Sequence, residues 1–259
     1  MKDAELSSVD LAPPSGPGTS TPAPPRRIRG RHVAVVLLAL YVLAALVVAW
    51  QRWGQFDPNV SSQAREIAHI ELDPAQHPWY FPMLLLHVTA SSIALATAVF
   101  QIWPWLRRAH PRAHRTIGRV YAFAGVYPAV FFALVVQAFW AFSVPTAISQ
   151  IVPLILWTAT TTYGIVLRRR GRIEEHRRYM LRSFALTCLV LMELTIDLPV
   201  QLLIGIQFHS RLGSNMDIYM QVKDTTENWL GLVLMFVIVE LWLERRPRVA
   251  AGDAHLLSR

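Results

Sequence analysis

The chain has 259 residues, of which 53% are hydrophobic and only 16% are charged, and its mean hydropathy is +0.33. This composition is too apolar for an ordinary soluble domain and indicates an integral membrane protein. The formal net charge of +8 would suit a nucleic-acid-binding protein. The positions of the basic residues along the chain, described below, argue against that class.

The first 50 residues predict a tail followed by a helix. Residues 1–32 are rich in Pro, Ser, Thr and Gly and cannot bury enough apolar surface to fold, so we predict a disordered cytoplasmic tail. The apolar run of residues 33–50 predicts a first transmembrane helix, because about 20 helical residues cross the hydrocarbon core. A cleaved signal peptide, with its site near residues 47–49, is the alternative.

The rest of the chain alternates between loops and apolar runs. An extracytoplasmic loop is predicted at residues 51–81. Five apolar runs follow, at residues 82–106, 117–140, 147–167, 181–206 and 229–243. We therefore predict an all-α polytopic membrane protein with about six transmembrane helices. Its parts are a four-helix core at residues 82–206, an extracytoplasmic loop at 207–228, a last helix at 229–243 and a cytoplasmic tail at 244–259.

Basic residues predict the orientation of these helices. Of the 25 Lys and Arg residues, 21 lie in alternate segments: the two tails and the loops around residues 107–119 and 168–182. This is the positive-inside pattern, and it places both termini and both basic loops in the cytoplasm. The excess charge can also contact anionic lipid.

The two basic loops resemble each other. Each joins two apolar runs, and each carries a His-Arg pair followed by a further Arg. This predicts two repeated helical hairpins whose loops lie side by side. An imidazole among arginines near a helix start suits a small anion or a lipid head group. In the alternative, the arginines only set topology and the histidines cap helices or pair with Glu174 and Glu175. The candidate ligand-binding residues are His114, Arg115, Arg119, His176, Arg177, Arg178 and Arg182.

Ionisable side chains inside the predicted helices form a second candidate site. Glu193, Asp197 and Gln201 are spaced by four residues and share one face of the fifth helix. His87 lies about two turns inside the second helix, at a depth near that of Asp197. Such a cluster is typical of a proton relay or an outward-facing cation or substrate site. The alternative is a hydrogen bond that only joins helices.

Haem is the cofactor that the histidines allow. Haem in a membrane bundle is held between histidines of facing helices, and the candidates are His87, His114, His176 and His209. The lone Cys188 cannot form a disulfide within the chain or a cysteine metal site, and we predict no metal-ion site. No nucleotide-binding loop or serine nucleophile motif is present, so the sequence favours a protein that is not an enzyme.

A set of motif residues occurs in order through residues 83–199: His87, Gln101, Pro104, Leu106, Arg107, Arg108, His114, Arg115, Gly118, Arg119, Tyr121, Glu175, His176, Arg177, Arg178, Tyr179, Met180, Arg182 and Ser183. With these motifs the chain resembles a bacterial membrane protein family called domain of unknown function 2306. The resemblance implies a multi-pass protein of the inner (plasma) membrane and brings no established activity, cofactor or substrate.

Three hypotheses for function follow. The first is a non-enzymatic protein, a transporter or an accessory subunit, that binds a small anion or lipid head group at the paired His-Arg loops. The second is a haem-binding membrane redox protein, and the third is a structural or scaffolding membrane protein. Six helices are few for a complete secondary transporter, so a homo-oligomer is a further expectation.

Overall fold

A computed structural model describes residues 35–44, 46–47, 78–140, 143–208 and 216–245. All regular secondary structure in these ranges is helical, and several of the helices are long and apolar, which confirms an all-α polytopic membrane protein. The predicted N-terminal tail, almost all of the predicted loop at 51–81 and His209 lie outside the described residues.

A π-helical segment, Tyr121–Val126, joins two of the described helices without a break. Proline occupies the first turn of three helices, where its missing N–H costs no hydrogen bond. In chain order the helices are α1 Val35–Ala44, α2 Tyr80–Ile102, α3 Pro104–Ala109, α4 Pro111–Val120, α5 Tyr127–Trp140, α6 Val144–Arg169, α7 Ile173–Thr187, α8 Leu189–Phe208 and α9 Met216–Glu244.

Four of the predicted transmembrane helices are long and apolar enough to cross a membrane. They are Tyr80–Ile102, Pro111–Phe139, Val144–Arg169 and Ile218–Glu244, whereas Val35–Ala44 and Leu194–Ile206 are shorter apolar helices. The fifth predicted run is divided because the helix is interrupted at Cys188, between α7 and α8.

The last helix begins earlier than the predicted span. Hydropathy placed residues 207–228 in a loop, but α9 already begins at Met216. The charged residues Lys223, Asp224 and Glu227 are therefore helical.

The helices pack as two hairpins covered by α9. The first hairpin pairs α2 with the π-helical segment and α5, and the second pairs α6 with α7. Helix α9 packs against α6, α7 and α8, and Tyr41 of α1 donates a hydrogen bond to the Leu191 carbonyl of α8 at 2.8 Å. We call the end of the bundle that carries Arg107, His114, Arg168 and His176 the basic end.

Small residues allow the closest helix contact. Ala94 and Ala98 of α2 are 0% and 1% exposed, as expected for a seam of small residues spaced by four. Opposite them lies Gly125, where an added Cβ would stand 2.8 Å from the Cα of Ala94. Two backbones are therefore in contact, and this packing requires glycine.

The π-helical segment coincides with a proline. Pro128 has no N–H to donate to the Ala124 carbonyl, which an unbroken α-helix would require. Just before it, the Tyr127 N–H donates to the Ala122 carbonyl five residues back, a π-type bond. The extra residue in the π-helical turn rotates the side chains before it relative to those after it. Tyr121, the first residue of the segment, is buried, with 2% of its surface exposed.

A buried network of hydroxyl groups joins the two hairpins. The Tyr121 hydroxyl lies 2.6 Å from Ser183 Oγ and 2.7 Å from Thr187 Oγ1. The Trp157 indole N–H donates to Thr187 Oγ1 at 3.1 Å, and Thr161 Oγ1 lies 2.7 Å from Ser183 Oγ. These polar groups satisfy one another inside an apolar bundle, which is the condition for burying them.

Candidate functional site

The two candidate histidines occupy equivalent places in their hairpins. His114 is the fourth residue of α4, and His176 is the fourth residue of α7. A tight turn precedes each helix, and in the second hairpin it contains Gly171 at φ 76°, the left-handed region that favours glycine. The repeated sequence motif thus corresponds to a repeated helix start.

The imidazole of His176 is fixed by a backbone hydrogen bond. Its Nδ1–H donates to the Gly164 carbonyl at 2.8 Å, because a carbonyl can only accept. Burial lowers the pKa of His176, the positive charges of Arg168 and Arg177 lower it further, and the bond to Gly164 partly opposes both effects. His176 is therefore neutral near pH 7, with the lone pair on Nε2.

His114 has a different environment. The Gln101 amide donates to the His114 backbone carbonyl at 3.0 Å, which anchors the start of α4 to α2. The Nδ1 atom of His114 is buried without a hydrogen-bond partner among the described residues, and the same is true of Trp103 Nε1. Trp103 lies between α2 and α3 and His114 lies in α4. Both nitrogens lack the partner that buried polar groups normally have.

The fold brings the two histidines together. The imidazoles of His114 and His176 are close enough to interact electrostatically, and Arg107 and Arg168 both act on His114. Arg168 also acts on His176. Two imidazoles and two guanidinium groups from both loops therefore form one cluster, which we call the His-Arg cluster: Arg107, His114, Arg168 and His176.

Several other predicted ligand-binding residues are occupied elsewhere. Arg177 pairs with Glu174 at 3.3 Å. Arg182 forms two hydrogen bonds with Glu240 of α9, at 2.6 and 2.9 Å. Glu175 pairs with Arg172 at 2.5 Å, so neither acidic residue of this loop is paired with a histidine.

The remaining candidate arginines lie near the surface. Arg115 and Arg119 are exposed on α4, while Arg178 is partly buried and interacts electrostatically with Glu240. The arginines that act on the histidines are Arg107, Arg168 and Arg177 rather than these three.

Two candidate polar groups inside the bundle, His87 and Asp197, have different hydrogen-bond partners. His87 donates its Nδ1–H to the Ala129 carbonyl of α5 at 2.8 Å. Asp197 accepts hydrogen bonds from the Gln201 amide at 3.0 and 2.9 Å, as their spacing predicts. Glu193 is part of α8.

Lys223 is the main partner of Asp197. Its Nζ lies 2.8 Å from Asp197 Oδ1 and 3.1 Å from Glu227 Oε2, and Asp224 is 3.9 Å away. The Lys223 side chain is only 14% exposed and Glu227 only 10%. One cation thus holds two carboxylates from α8 and α9, which we call the Lys223 cluster.

Comparison with known proteins identifies the family. The family model described as "Predicted membrane protein (DUF2306)" matches residues 84–243, more than half of the chain. The chain belongs to this family. The match confirms the resemblance seen in the motifs and extends it beyond residue 199 to include most of α9. No curated protein and no solved structure matches the chain.

Two features of this DUF2306 protein escaped the sequence analysis. Lys223 lay in a predicted loop, although its spacing of four residues from Glu227 was a visible helical signal. The hydroxyl network uses single Ser, Thr and Tyr residues that have no distinctive spacing.

In the described residues of the DUF2306 protein, no group of three or more His, Cys, Asp or Glu side chains could hold a metal ion.

Proposed function

We propose that this DUF2306 protein binds a phosphate-bearing anion, with a phospholipid head group as the ligand, at the His-Arg cluster. The observation that carries the proposal is the electrostatic interaction that links Arg107 and His114 of one loop with Arg168 and His176 of the other. The proposal includes the orientation given by the positive-inside pattern, with this end of the bundle in the cytoplasm of an inner-membrane protein.

The chemistry of the cluster suits phosphate. A guanidinium group donates several hydrogen bonds in a plane and matches phosphate oxygens. The buried Nδ1 of His114 has no partner among the described residues, and an anion oxygen would accept a hydrogen bond from it when it carries a proton. The arginines that act on the two histidines, Arg107, Arg168 and Arg177, carry the charge that attracts an anion.

Removal of the two cluster arginines is the direct test. We expect the double variant Arg107→Gln, Arg168→Gln to bind inorganic phosphate at least about tenfold more weakly, because each lost charge-assisted hydrogen bond costs about 1.5–3 kcal/mol. Titration calorimetry on the detergent-purified full chain measures this. The matched control is Arg112→Gln, Arg170→Gln, which removes the same charge from the same two loops. Equal losses in both double variants would show that only total charge matters.

A second titration distinguishes a phospholipid from a free anion as the ligand. It compares short-chain phosphatidylglycerol, which has phosphate and acyl chains, with inorganic phosphate, which has no acyl chains, and short-chain diacylglycerol, which has no phosphate. A phospholipid ligand requires that phosphatidylglycerol bind more tightly than phosphate and that diacylglycerol not bind. Equal affinity for phosphate and phosphatidylglycerol would instead identify a site for a free anion.

Anion binding is expected to depend on pH through His176. Burial and the charges of Arg168 and Arg177 lower the pKa of His176, with His114 also close by. A bound anion favours the charged imidazole, so binding takes up a proton and affinity rises as pH falls through this pKa. We expect sulfate, which does not titrate in this range, to bind several-fold more tightly at about pH 5 than at about pH 8. His176→Gln should reduce that ratio; an unchanged ratio would contradict the role of His176.

Haem binding is the second candidate, favoured by the state of His176. Histidines that ligate metals commonly donate the other ring N–H to a backbone carbonyl, as His176 does to Gly164, and a second imidazole, His114, lies nearby. Under this hypothesis, protein purified from a haem-sufficient host shows a Soret band that His176→Gln removes and that Arg107→Gln, Arg168→Gln retains. Absence of the band in the wild-type protein would eliminate the candidate.

A further inference from the structure

A cavity of about 430 Å³ lies inside the bundle, away from the His-Arg cluster. Its walls come from α2, α5, α6 and the junction of α7 and α8, with Leu46, and Asn228 of α9, also lining it. The volume falls in the range of about 300–1,000 Å³ that is typical of small-molecule sites. No Asp, Glu, Lys or Arg is among the described residues that line it, so its occupant is uncharged.

One wall of the cavity presents two polar groups from α2. The Nδ1–H of His87 is bonded to Ala129, so Nδ1 carries the proton and the neutral ring offers a lone pair on Nε2. This nitrogen makes no hydrogen bond among the described residues. One turn further along α2, Ser91 Oγ is buried and has no hydrogen-bond partner there either. A ligand that donates a hydrogen bond to Nε2 and also contacts Ser91 would satisfy both groups.

The opposite wall is mostly apolar. The indole N–H of Trp157 is already used in the hydroxyl network, so Trp157 offers the cavity its aromatic surface. Gln137 and Gln150 also line the cavity, and the Gln137 amide donates a hydrogen bond to Gln150 between α5 and α6. Val190 lines the cavity and is 53% exposed on the outside of the bundle, so the described part of the cavity wall reaches the lipid-facing surface.

We propose that this cavity binds a small lipophilic alcohol or phenol that enters from the membrane. The hydroxyl group donates its hydrogen to His87 Nε2 and lies beside Ser91 Oγ, while the apolar body contacts Leu84, Leu154 and the ring of Trp157. A hydroxyl is the group required because Nε2 can only accept. A carbonyl compound without a donor would leave this lone pair unmatched.

The test compares 1-naphthol with naphthalene, two probes that differ by the hydroxyl group. Binding to the detergent-purified full chain is measured by the quenching of tryptophan fluorescence, with empty micelles to correct for partitioning. We expect saturable binding of 1-naphthol that is about tenfold tighter than that of naphthalene. His87→Phe should lower the affinity for 1-naphthol to that for naphthalene, whereas His110→Phe, at an exposed histidine outside the cavity, should leave it unchanged.

A second variant covers the case in which His87→Phe does not fold. Ser91→Ala removes one hydroxyl and leaves His87 in place, and we expect it to bind 1-naphthol about threefold more weakly. Equal affinity for the two probes, or unchanged 1-naphthol binding in both Ser91→Ala and any folded His87 variant, would overturn the proposal. So would a Soret band that disappears in His87→Phe, because iron would then occupy Nε2.

Discussion

The Lys223→Met variant is expected to lose about 3 kcal/mol of unfolding free energy. Removing one partner of a buried ion pair leaves an uncompensated charge, which typically costs about 3–5 kcal/mol. The lower end of that range applies here because Asp197 remains 38% exposed. The measurement is the unfolding of purified protein in mixed detergent and sodium dodecyl sulfate micelles.

A surface ion pair provides the matched control for Lys223. Arg172 and Glu175 are also close, at 2.5 Å, but their side chains are 51% and 41% exposed. Arg172→Met should therefore cost less than about 1 kcal/mol. If both variants lost the same free energy, burial of the Lys223 cluster would not be the cause. The double variant Lys223→Met, Glu227→Gln should recover part of the loss, since one of the stranded carboxylates becomes neutral.

Replacement of Gly125 by alanine is expected to destabilise the protein by about 1–3 kcal/mol, the usual cost of overpacking. The new Cβ would lie 2.8 Å from both the Cα and the Cβ of Ala94. The Cα belongs to a helix backbone and cannot move aside as a flexible side chain would. The same unfolding measurement applies, and we expect this cost to exceed the preference of about 1 kcal/mol that alanine has over glycine in helices.

Gly231 is the matched control for this contact. It lies in α9, and a Cβ there would be 3.5 Å or more from its nearest neighbours, all of them ends of side chains. Gly231→Ala should leave the stability unchanged or raise it by up to about 1 kcal/mol. A destabilisation of similar size in both variants would mean that glycine is needed for another reason than the contact between α2 and the π-helical segment.

Parts of the fold could be predicted because they depend on local patterns. The apolar runs predicted four helices that the structure has with the required length. Ala90, Ala94 and Ala98 are small residues spaced by four in the sequence, and they form a seam that is buried. The partner of that seam could not be predicted. Gly125 lies within the π-helical segment, opposite Ala94, and hydropathy does not report such a segment.

Local sequence motifs also pointed to part of the candidate site. The motifs identified His114 and His176, and the structure brings their imidazoles together. The arginines that act on both loops are less evident from the sequence. Arg182 lies in the motif, yet it is turned toward Glu240, 58 residues away along the chain. Arg168 lies in the last turn of α6, before the motif histidine, and acts electrostatically on both imidazoles.

By itself, the sequence determined that this is a membrane protein of the DUF2306 family, with helices joined by two basic histidine loops. Hydropathy and charge are properties of short segments, so they can be read without knowing how the helices pack. The tertiary structure alone decided that His87 bonds to Ala129 beside a cavity and that Asp197 is held by Lys223. Such pairs depend on the rotation and depth of each helix against its neighbours, and those are set by packing between segments that are distant in the chain.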